Sequence, residues 1–198
     1  MKKILSYTAY WIIQCTWGIL MTLIGAFAAL YCLCAGYKPK RFGPAIYFEI
    51  GRHWGGINLG GFFFCNEGSS ESTKTHEFGH SIQNLIFGPL TPFLISIPSA
   101  ARYWLFRIGT HERRTMYTAA LFLLSVTIFT FLAWIMTFTH IKALVILFES
   151  FRLYALFLTL WLRLFQIPKF RYGRPGYYDI WFEAQANTLG KKYAKKEA

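Results

Sequence analysis

Apolar and polar positions divide this chain into long uncharged runs joined by short basic links. Residues 7–34 carry no charge, which is enough helix to cross ~30 Å of hydrocarbon with some tilt. The run is longer than the apolar core of a signal peptide and is followed by Lys38, Lys40 and Arg41, so it reads as a first span over 1–35 rather than a cleaved leader. Residues 116–138 and 143–165 are each long enough to span, and the short link between them predicts an antiparallel helical hairpin over 116–166. Within the hairpin Glu149 and Arg152, three apart, are placed to pair on one face, and they are expected to look inward toward protein or a wet cavity. Residues 87–102 are apolar too, but Gly88, Pro89, Pro92 and Pro98 make them a poor straight helix.

Two shorter runs break the helical pattern. Residues 45–51 and 57–65 are rich in aromatic and β-branched residues and are separated by Arg52, His53, Trp54, Gly55 and Gly56, which predicts a β-hairpin within 42–66. The tail at 168–198 opens as a basic, turn-rich linker. Residues 180–190 then read as a short helix stopped by Gly190.

Composition supports the membrane reading. The 198 residues are 55% hydrophobic and only 15% charged, too greasy for an ordinary soluble domain. A net charge of +12 is compatible with nucleic acid, but the bases are scattered between apolar runs and no nucleic-acid motif accompanies them; a bilayer partner explains them better. The four cysteines form neither a C-x-x-C pair nor a disulfide framework.

The chemistry concentrates in residues 72–83, where His76, Glu77 and His80 form H-E-x-x-H. Four residues apart on a helix, the two imidazoles share one face and can aim at one metal ion. Glu77 sits about 100° round the helix, placed to reach a water rather than the metal. Gly79 implies a close neighbouring backbone, and Thr73 and Thr75 are candidate N-caps. A catalytic zinc site usually takes a third protein ligand. Glu183 with Asn187 is the best candidate, because E-x-x-A-N on a helix puts a carboxylate for the metal and an amide for a ligand histidine on one face. His53, His111 and His140 read as surface or interfacial residues, and five histidines are too few for a di-iron oxidase.

The pair H-E-F-G-H and E-A-Q-A-N resembles the H-E-x-x-H plus E-x-x-A-D signature of gluzincin integral-membrane metalloproteases, the type of the CAAX prenyl proteases and HtpX heat-shock proteases. Asn187 stands where that pattern has Asp, and without a charge it should raise ligand basicity less. More of the chain is similar to small bacterial membrane proteins with a glycine-rich hairpin, H-E-Y-G-H, G-P-L-Y, I-P-S, Y-Y and T-E-x-W-A-D. The matching residues here are Gly55 to Gly60, His76 to His80, Gly88 to Leu90, Ile97 to Ser99, Tyr177 with Tyr178, and Glu183 to Asn187. The resemblance implies Zn2+ held by His76, His80 and Glu183, Glu77 as general base, Asn187 behind His76, and peptide hydrolysis on a peptide or membrane-protein substrate. It also implies an edge strand beside the site, open to an extended substrate. Tyr177, Tyr178 and Tyr193 are candidates for stabilising an oxyanion, although aromatic anchoring at the interface is the favoured reading for them. The alternative function is a structural zinc that ties the C-terminal helix to the metal helix in a non-catalytic scaffold.

The expected fold is thus an α-helical polytopic membrane protein, one membrane-embedded domain with about three spans. Its further parts are a re-entrant proline-broken segment within 72–107 and a small β-hairpin next to a zincin-like metal helix. If residues 87–106 enter the membrane and return, fifteen loop lysines and arginines fall on one side against three; if they span, the division is twelve against six. The stronger bias places the N-terminus outside and the zinc site with the C-terminus at the cytoplasmic face of a bacterial inner membrane.

Overall fold

The structure is a computed structural model that describes residues 7–138, 141–169, 176 and 179–194. The chain divides into two compact units, 1–97 with 178–198, and 98–177.

The first unit is built on a four-stranded sheet of β1 (Lys40–Phe42), β2 (Ala45–Glu49), β3 (Gly56–Leu59) and β4 (Phe62–Cys65), in the order β1-β2-β4-β3. The predicted hairpin with its turn at Arg52 to Gly56 is not the pairing found. β1 and β2 form one hairpin and β3 and β4 another, while β2 runs parallel to β4 with Tyr47 opposite Phe63 and Phe48 opposite Phe64. The reason lies in the glycine pairs. Gly60 adopts a φ of 71° and closes β3 onto β4, whereas the glycines at 51 and 55 shape a longer connection that carries the chain to the sheet edge.

Both faces of β2 and β4 are covered, as a parallel pair requires. Tyr47 stacks on Phe63 at 4.9 Å on the face that packs with Tyr10, Phe78 and Ile82; Phe48 stacks on Phe64 at 5.7 Å on the face that packs with Ala29 and Cys32. The covering helices are α1 (Tyr7–Cys15), α2 (Ile19–Cys34) and α3 (Glu71–Phe87). The apolar run at 7–34 is therefore not one helix: α1 and α2 meet at a 100° bend. Two polar side chains hold the bend. Asn84 on α3 donates to Gln14 Oε1 at 2.6 Å and to the Gly18 carbonyl at 3.0 Å, and Gln14 donates to the Ser81 carbonyl at 3.1 Å. The buried amide nitrogens of both side chains find these acceptors only if the chain turns onto α3. The 16 residues of α2 rise about 24 Å, short of a bilayer's ~30 Å core.

After α3 the chain passes through a 3₁₀ turn at Gly88–Leu90 and a π turn at Pro92–Ser96 into α4 (Ile97–Arg107), so the helix breaks where the prolines put it. The second unit holds α5 (His111–Thr137) and α6 (Lys142–Lys169), two helices long and apolar enough to cross a membrane; with each bent pair counted as one span there would be up to four. The link at Thr139 and His140 lies outside the described residues. Glu149 and Arg152 pair as expected, Nε to Oε2 at 2.8 Å, but the pair stands about two-fifths exposed rather than turned inward. In this unit Arg102 is fully buried and donates to Gln166 at 3.1 Å and to the Gly176 carbonyl at 3.0 Å.

Candidate metal centre

α3 starts earlier than Thr73 or Thr75 would set it. Ser70 is the N-cap, its Oγ accepting from the Thr73 N–H at 3.2 Å, and Glu71 sits in the positive first turn. The extra residues, 71–73 at the least, put more than a full turn of helix before His76, so the helix is fully formed where the histidines emerge.

The third donor arrives on α7 (Trp181–Ala194). This helix lies so close along α3 that a Cβ on Gly79 would strike the Ala186 carbonyl, and one on Gly190 would strike the Thr75 carbonyl. Gly190 therefore does not stop the helix, as its sequence position suggests; α7 continues to Ala194, and Gly190 is the place where the backbones cross. This crossing carries Glu183, which is 1% exposed, to the histidine pair.

The three donor atoms form a small triangle. His76 Nε2 and His80 Nε2 are 3.1 Å apart, and Glu183 Oε2 lies 3.2 Å from the first and 3.3 Å from the second. Zinc with bonds of ~2.0–2.1 Å in tetrahedral geometry separates its ligands by about 3.3–3.4 Å, so the triangle fits three corners of such a site. The far sides of the rings set the tautomers. His76 Nδ1 lies 3.0 Å from Asn187 Oδ1, and His80 Nδ1 lies 2.7 Å from Gln83 Oε1. The Gln83 amide can face only one way, because its nitrogen already donates to the Phe182 carbonyl at 2.7 Å and to Gln185 Oε1 at 2.9 Å. With a proton on each Nδ1, both Nε2 lone pairs point at the carboxylate oxygen. Two lone pairs and an anion so close repel unless a cation stands among them. Burial alone would lower the His80 pKa, but the Glu183 carboxylate outweighs it and holds the imidazole above its usual value. His76, His80 and Glu183 are a group that could hold a metal ion.

Glu77 is buried beside this group without belonging to it. Its carboxyl lies against β3, where a Cβ at Gly56 would stand 2.8 Å from Cδ. Desolvation pushes its pKa up, opposed by the neighbouring imidazoles. β3 is an edge strand of the sheet, so the strand beside Glu77 has one side unpaired within the sheet.

All four of His76, Glu77, His80 and Glu183 come together, with Asn187 on His76 as expected. Tyr193 packs against the cluster of Tyr10, Phe63 and Phe78, and Tyr177 and Tyr178 lie outside the described residues. Sequence reasoning missed Gln83 and Gly56. The signal for Gln83 was available, since a residue three after His80 shares its helix face. Gly56 gave none, because nothing local says that its neighbour is a glutamate 21 positions later. No family model, no characterised protein and no solved structure matches the chain.

Proposed function

We propose that the protein is a membrane-embedded zinc metallopeptidase of the gluzincin type, working at the cytoplasmic face of a bacterial inner membrane. The observation that supports it best is the donor set: two imidazoles fixed by amide oxygens, one carboxylate, and a second buried carboxylate left over for acid–base work. Zinc bound there supplies Lewis acidity, which polarises a carbonyl and acidifies water near neutral pH. His76, His80 and Glu183 hold it, and Asn187 and Gln83 keep the rings aimed. Glu77 takes a proton from the attacking water and passes it to the leaving amine, and a raised pKa suits a group that must do both near neutral pH. Residues 87–106 enter the bilayer and return, which keeps α3 and α7 on one side.

One observation favours a second reading. The third donor comes from a different helix than the two histidines, so a metal bound there would tie the two helices together as a structural staple in a scaffold. Glu77→Gln separates the two. In the peptidase it keeps the zinc and lowers hydrolysis of a quenched-fluorescence peptide library by ~10²–10⁴-fold. A variant with full zinc and undiminished turnover sinks the catalytic role.

A further inference from the structure

α1 uses its two sides differently. Tyr10 and Gln14 face α3, where Tyr10 meets the Ser81 hydroxyl and Gln14 the Ser81 carbonyl. On the other side Tyr7 is 48% and Ile12 58% exposed, and Cys15 is exposed as well. With Thr8, Trp11 and Arg41 of β1 they line a shallow, open groove of about 490 Å³. The Trp11 indole donates to the Pro44 carbonyl at 3.0 Å, which fixes the ring as part of the wall.

Two features select an occupant. The wall is an apolar helix face, suited to hydrocarbon. The cation is Arg41: its neighbour Lys40 is held by Glu49 at 2.8 Å, whereas Arg41 has no acidic partner among the described residues. An unneutralised guanidinium at the edge of an apolar groove matches a phosphate attached to an acyl chain, through the bidentate geometry that lysine lacks. We propose that this groove is a site for an anionic phospholipid, its chain along Tyr7, Trp11 and Ile12 and its phosphate on Arg41. A zwitterionic lipid offers the same chain but offsets the phosphate with its own cation. The preference should therefore be set by one basic residue, which near an anionic surface amounts to about fivefold.

Cys15 lines the groove, and Cys34, also exposed, lies outside its lining, so it serves as an internal reference. The full-length protein is reconstituted in nanodiscs of phosphatidylcholine or of phosphatidylglycerol and treated with a water-soluble maleimide, and both positions are quantified by peptide mass spectrometry. Expected is a Cys15-to-Cys34 labelling ratio about fivefold lower in phosphatidylglycerol, a loss of that difference in Arg41→Gln, and its retention in Arg41→Lys. Ile12→Glu removes the apolar wall without touching the cation and should also abolish the protection. Equal ratios in the two lipids overturn the proposal, as does a phosphatidylglycerol effect that survives both Arg41→Gln and Ile12→Glu.

Discussion

Gln83 Oε1 stands 2.7 Å from His80 Nδ1, one turn along the helix that supplies both histidines. Because the Gln83 nitrogen is already committed to Phe182 and Gln185, this glutamine couples the orientation of a candidate metal ligand to the docking of α7. Gln83→Ala should lower zinc affinity by ~10–100-fold, the usual cost of losing such a support. Chelator competition on purified protein reads the change. An unaltered affinity would mean that packing alone orients His80.

The helix crossing is expected to be equally sensitive. In Gly79→Ala the new methyl meets the Ala186 carbonyl, and in Gly190→Ala it meets that of Thr75. Neither partner is a flexible side chain that can step aside, so α7 must shift outward. Each variant should lose ~1–3 kcal/mol of stability and bind less zinc, measured by thermal unfolding in detergent and by metal analysis. Wild-type values for both would show that the two helices can separate without cost to the site.

Removing the third donor tests the centre directly. Glu183→Ala should reduce zinc content and expose residues 179–194 to added protease, because metal binding is then part of what holds α7 in place. Equal zinc occupancy and equal protection in the variant would exclude Glu183 as a ligand.

A pH dependence follows from Glu49, which accepts from Lys40 at 2.8 Å and Lys74 at 3.0 Å. The two ammonium groups, Lys40 first, hold its pKa below the ordinary value despite partial burial. A carboxylate with a depressed folded pKa contributes stability that is fully present above its unfolded value of ~4.3 and is lost as pH falls through the folded one. Glu49→Gln should flatten the acid limb of a stability–pH profile below about pH 4.3 and leave the shape of the profile at pH 7 unchanged. An acid limb of unchanged steepness would assign that dependence to other groups.

The parts of this architecture that were legible in the sequence were those written in local periodicity. The spacing of His76 and His80, the amide at Asn187 and the proline-driven break after α3 each follow from helix geometry within a few residues. What stayed hidden depended on distant partners. The break between α1 and α2 is held by Gln14 and Asn84, two polar residues whose partnership no window can reveal. The sheet register failed for a related reason: β2 and β4 pair across an intervening strand, while a sequence reading pairs neighbouring runs first. Gly190 shows the limit most clearly, since a glycine near a helix end reads the same whether it stops the helix or admits another backbone.

The final prediction concerns sidedness. Ser72, one turn before His76, and Lys192, on the last turns of α7, are both exposed, and their helices pack backbone to backbone at Gly79 and Gly190. They must therefore face the same compartment, whatever path the chain takes between them. Single cysteines at Ser72 and Lys192, in a background with Cys15 and Cys34 replaced by serine, should both be labelled by an impermeant maleimide in inside-out vesicles and spared in right-side-out ones. That outcome would place the centre at the cytoplasmic face, the side proposed from the basic excess of the loops. Labelling of both from the outer side would keep the metal centre and reverse its orientation. Labelling of the two positions from opposite sides would falsify the shared centre, because no metal ion can bind His76, His80 and Glu183 across a bilayer.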